Sequence, residues 1–146
     1  MSIFNFSLEQ VLRYRKQLEE QAMQVFSQAV RERDAHLRKK LESESLLAEY
    51  RGKLAVPSLL DADERWLITG YVAALVHDID RVRRDLAVLE EAVDKARADL
   101  TRKSQEKKLL ERLKEKQAHR HQLAENHKEQ QNYDDIATIR FVPPTI

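Results

Sequence analysis

The sequence predicts an all-α fold: two long helices forming an antiparallel coiled-coil hairpin, with the second helix overhanging the first. Three observations predict it. The 146 residues hold only 2 Gly and 3 Pro, too few for the turns of a compact globule. A long stretch of the second half places apolar residues at unbroken steps of four and three. One cluster of breakers, Gly52 and Pro57, divides the chain.

Helix 1 is expected over about residues 7–52. Ser7 and Gln10 have capping-box spacing, and Phe6 with Val11 suits a hydrophobic staple. Apolar residues recur at Leu8, Val11, Leu18, Ala22, Val25 and Ala29, with Arg15 interrupting. Beyond them, Phe26 to Leu37 and Val30 to Leu41 are eleven-residue steps, which relax a left-handed supercoil. A turn is expected over about 53–60, with Ser58 or Asp61 capping the second helix and Glu64 placed to complete a box with Asp61.

Helix 2 is expected over about 61–132. Its stripe is Ile68, Val72, Leu75, Ile79, Val82, Leu86, Leu89, Val93, Ala96 and Leu100. Gly70 lies off this stripe, either tolerated or marking a close approach. After Leu100 the same positions become Lys103, Lys107, Leu110, Lys114 and Gln117. A helix 1 that folds back from the turn is used up opposite roughly Gln105, because both helices rise about 1.5 Å per residue. The loss of apolar residues is therefore expected to mark an overhang of about 25 residues, near 40 Å. The tail, 133–146, is expected to be flexible, with Pro143 and Pro144 in it. The whole chain reads as one coiled-coil domain.

Composition excludes several function classes. Net charge is +1, with opposite charges interleaved, so the chain is no polycation for nucleic acid. No Cys is present, which removes disulfides, thiolate nucleophiles and Cys-based zinc sites and favours the cytosol. Met1–Phe6 does not read as a secretory signal, and no apolar run approaches the roughly 20 residues that span a bilayer. His119 and His121 are two apart, whereas helical metal ligands need spacings of three or four. No Gly-rich phosphate loop or nucleophile elbow occurs. The expectation is a binding protein and not an enzyme, with no cofactor, metal, small-molecule substrate or nucleic acid.

Two surfaces remain as candidates. The basic run Arg102, Lys103, Lys107, Lys108, Arg112, Lys114, Lys116 and Arg120 surrounds Leu109, Leu110 and Leu113. It reads as a solvated helix or as a cationic, partly apolar end for an acidic partner. Tyr50, Trp66 and Tyr71 gather near the turn with Leu46 and Val76, either closing the tip or serving as binding anchors.

The residues also carry a resemblance. The opening, Phe4 to Arg15 with Phe6, Leu8, Val11 and Leu12, the segments Glu49-Tyr50-Arg51 and Arg65-Trp66 around the turn, and the ending, Asn126 to Phe141 with Asp134-Asp135-Ile136-Ala137-Thr138 and Arg140-Phe141, together resemble the flagellar export protein FliJ family. The resemblance implies a soluble component of the bacterial flagellar type III export apparatus, a two-helix coiled coil similar to the central stalk of rotary ATPases. It implies three partners: the hexameric export ATPase, which such proteins stimulate, the cytoplasmic part of the export-gate membrane protein, and flagellar export chaperones. It implies a cytoplasmic protein held peripherally at the inner membrane beneath the flagellum. Carried over by position, the gate-binding residues are Leu46, Tyr50, Val72, Val76 and Ile79, to which Trp66 is added as an aromatic of the turn. The ATPase-facing residues are Arg13, Leu109, Arg112, Leu113 and Lys116, placed mainly by the overhang. The alternative is a holdase chaperone gripping unfolded clients.

Overall fold

The structure, a computed structural model, describes residues 2–141. It is all-α: α1 (Glu9–Leu54) and α2 (Ala62–Arg140) are packed against each other, with no strand among the described residues. Two compact units are formed. One is Glu20–Thr101; the other combines the chain up to Glu19 with the chain from Arg102 onward.

In the Glu20–Thr101 unit the helices run antiparallel. Arg97 lies over the Phe26 ring at 5.7 Å, Arg83 pairs with Glu44 at 3.3 Å, and Tyr50 meets Tyr71 at 5.0 Å. The stripe from Ile68 to Leu100 is buried or half-buried at every one of its positions. Leu75, Ile79, Val93 and Ala96 form its driest part. Asp61 caps α2 as expected, its Oδ1 accepting the Glu64 N–H at 2.7 Å. Arg65 closes the turn: its guanidinium donates to the carbonyl of Leu54 at the open end of α1 and to those of Val56 and Pro57 in the turn.

The phase of α1 differs from expectation. Its covered positions are Leu12, Arg15, Glu19, Ala22, Phe26, Ala29, Arg33, His36, Lys40, Ser43, Leu47, Tyr50 and Leu54, an unbroken run of threes and fours. Val11 is 42 % exposed while Leu12 is 1 % exposed, and Val25, Leu37 and Leu41 face solvent. The eleven-residue steps therefore do not mark the seam, and no drift of phase occurs. Six of these covered positions are polar, which hides the pattern from a hydrophobicity count. Arg33 and Lys40 fit because their aliphatic stems can cover apolar surface while the charged heads reach water; their side chains are only 25 % exposed.

In the other unit the pairing is also antiparallel, and it is ionic. Glu9 holds Lys114 at 2.8 Å, Arg15 holds Glu106 at 2.6 Å and Glu19 holds Lys107 at 2.9 Å. Around them sit Phe6 and Leu12, both buried, with Leu18 and Leu110 half-buried. The seam of α2 thus continues through Lys103, Lys107, Leu110, Lys114 and Gln117, all half-buried. The second helix does overhang the first, but the overhang begins later and is shorter than expected: the seam turns polar because α1 answers it with carboxylates, not because α1 has ended. Before Glu9 the chain runs on beside α2, where Phe4 lies 5.7 Å from His121 and Ser2 donates to Glu125. Full exposure begins only at 126. A second correction concerns the tail, since α2 is continuous through Tyr133–Arg140; 142–146 lie outside the described residues.

Candidate protein-interaction site

The first candidate surface lies in the unit with the paired ends. Leu109, Arg112, Leu113 and Lys116 are spaced so that one face of α2 carries all four. All four are exposed, with Lys108 and Arg120 exposed beside them. Lys107 and Lys114 belong to the seam instead and are neutralised there. The Lys107 ammonium, hydrogen-bonded to Glu19, holds that carboxyl below its ordinary value, and Glu19 raises Lys107 in return. Lys114 lowers Glu9 in the same way. Arg13 stands on α1 with its side chain 74 % exposed, 3.9 Å from Glu9, so Glu9 bridges Arg13 to Lys114 of α2. The surface is thus a cationic and leucine-bearing face whose cations are not consumed by the helix pairing.

The second candidate surface surrounds the turn, and here the structure divides the expected set. Leu46 and Tyr50 lie one turn apart on α1, Leu46 exposed and Tyr50 half-buried. Tyr71 stacks edge-on against Tyr50, at 81° between the rings, and the Lys53 ammonium sits 5.1 Å from the Tyr50 centroid. Val72 and Val76 are half-buried. Ile79 is 3 % exposed and packs in the seam, so its side chain offers no surface to a partner. Trp66 is 77 % exposed and stands half a helical turn away from the buried Leu75 face, on the outer side of α2. It is therefore separate from the Tyr50–Val76 group.

Around Trp66 and Gly70 the structure adds Leu67, Thr69 and Ala73, which the sequence pattern alone did not single out. Trp66, Leu67, Thr69, Gly70 and Ala73 line a shallow groove on α2, and Val56 and Leu59 of the turn are exposed near its start. A signal existed. Asp63, Trp66, Gly70, Ala73 and His77 repeat the threes and fours of a second stripe, all exposed.

A family model for the flagellar FliJ protein matches residues 4–143. The chain belongs to the FliJ family. No curated protein and no solved structure matches it. FliJ membership makes the chain a component of the flagellar export apparatus, in a family whose role is non-catalytic. Among the described residues, no helix is long and apolar enough to cross a membrane, and no group of three His, Cys, Asp or Glu side chains is placed to hold a metal ion.

Proposed function

We propose that this FliJ-family protein acts by binding: it engages and stimulates the hexameric export ATPase, and it links that ring to the cytoplasmic part of the export gate and to export chaperones. The observation that carries the ATPase contact is the face Leu109, Arg112, Leu113 and Lys116, which keeps exposed leucines and cations where neighbouring lysines are already neutralised. Such a face suits an acidic partner surface: the charges steer the encounter and the leucines hold the complex. A site composed from several ATPase subunits would favour the assembled ring by mass action. No chemistry is asked of the chain itself.

The gate contact is placed on the turn-bearing unit, at Leu46, Tyr50, Val72 and Val76, with Trp66 as a separate anchor on the outer side. The protein is proposed to work in the cytoplasm against the inner membrane at the flagellar base, reaching the membrane through these partners. Turnover of the export ATPase with and without the chain tests the proposal. Stimulation should be lost in Arg112→Glu/Lys116→Glu while helicity by circular dichroism stays at the wild-type level. Full stimulation by that variant would remove the ATPase contact from this face. Suppression of aggregation of an unfolded client, with no ATPase present, would instead support the holdase alternative.

A further inference from the structure

We propose that the outer stripe of α2 beside the turn is a self-association surface, through which two copies of this chain pair as an antiparallel, two-fold dimer. The stripe is Asp63, Trp66, Leu67, Gly70, Ala73, Ala74 and His77, every residue of it exposed. Trp66 is a large apolar knob, and the neighbouring positions toward the C-terminus are small. A Cβ built at Gly70 meets no atom within 4 Å, so the hollow beside the indole is open. Knob and hollow on one helix face are what an isologous interface requires, because each copy must supply both halves of every contact.

The register fixes the occupant. A two-fold axis at Gly70 sets Trp66 against Ala74 of the second copy, Leu67 against its Ala73, and Gly70 against its Gly70. The same axis sets Asp63 against His77 of the second copy, and His77 against its Asp63. The carboxylate accepts from an imidazole N–H, so the two ends of the patch are complementary in charge and hydrogen bonding. No like charges meet in this register, since Asp78 falls opposite Ala62. Glycine at the centre permits the closest approach of the two backbones, and the indoles cover the alanines on either side. One patch of about four helical turns buries less than about 1,200 Å², the size of transient contacts, so the dissociation constant should be on the order of 10 µM. This pairing leaves the proposed ATPase face and the Leu46, Tyr50, Val72 and Val76 group uncovered, but it covers Trp66, so the dimer and the use of Trp66 as a gate anchor exclude each other.

The chain contains no Cys, so one introduced thiol reports on one position. Sedimentation of the full chain across about 1 to 300 µM should show a concentration-dependent dimer, and Trp66→Ala should shift it to monomer by at least about tenfold in dissociation constant. Under mild oxidation Gly70→Cys should form a disulfide-linked dimer, because the two Cα atoms approach within disulfide range. Val88→Cys, also exposed on the same helix, should cross-link far more slowly. Asp63→Lys should weaken the dimer, and adding His77→Asp to that variant should restore it. A monomer throughout that range, a dimer indifferent to Trp66→Ala, or equal cross-linking from Gly70→Cys and Val88→Cys would overturn the proposal. Circular dichroism on each variant separates loss of pairing from loss of helix.

Discussion

Replacing Leu12 by Ala tests where the seam of α1 runs. Leu12 is 1 % exposed and is one of the two fully buried large side chains. It sits in the unit whose seam is largely ionic, through Glu9, Arg15 and Glu19, so few apolar side chains nearby can compensate. Truncating a buried leucine costs about 2–5 kcal/mol from lost burial and the cavity left behind, and about 3 kcal/mol is the central expectation. Spread over local opening, that corresponds to amide exchange roughly 100-fold faster. Hydrogen exchange read by mass spectrometry should show it in 9–19 and in 103–121, with 68–100 close to wild type. Val11→Ala, one residue away, should stay within about 0.5 kcal/mol, because Val11 already faces water. Equal losses at both positions, or faster exchange spread evenly over the chain, would show that Leu12 is not the anchor of this unit.

Glu19→Gln should cost about 1 kcal/mol near neutral pH, a value between exposed and buried ion pairs. Because Lys107 lowers the Glu19 carboxyl, the wild-type advantage is full above the ordinary value of 4.5 and disappears as pH falls through the lowered one; Lys107 is raised, so it is also lost as pH climbs beyond 10.5. Urea melts of both proteins at pH 3, 7 and 11 check both windows. Arg65→Ala should loosen the turn by about 1 kcal/mol, since three carbonyls lose a charged donor, and Asp61→Ala by a similar amount through the lost cap; exchange at 52–64 reads both. Arg112→Glu/Lys116→Glu should lower ATPase stimulation on the order of tenfold, with added salt weakening the wild type toward the variant; titration against the ring at two salt concentrations measures it.

The seam of α2 was legible because Ile68 to Leu100 is apolar at each step, and burial follows it residue by residue. That of α1 was not. Arg15, Glu19, Arg33, His36 and Lys40 occupy covered positions, so a count of apolar spacing slid onto Val11 and Val25 instead. The extent of the overhang failed for the same reason. Lys107 and Lys114 look solvated until Glu19 and Glu9 are seen opposite them, and charge complementarity between helices needs a register that one helix cannot supply. The turn was readable from Gly52, Pro57 and Asp61, whereas the clamp by Arg65 depends on carbonyl directions that only the folded chain defines. Of the expected gate residues, Ile79 was already on the stripe, and burial decides between its two roles.

Every residue from 126 to 141 is exposed, although α2 runs on to Arg140. A free peptide of that length is a marginal helix in water, because the first turn must be nucleated at a high entropic cost. Here nucleation has already happened upstream, and each further residue only propagates an existing spiral, a step close to neutral. The end of α2 is therefore an adjustable tip. It can shorten by a turn for a small free energy, and a binding surface can select the length it needs without forming a helix from coil.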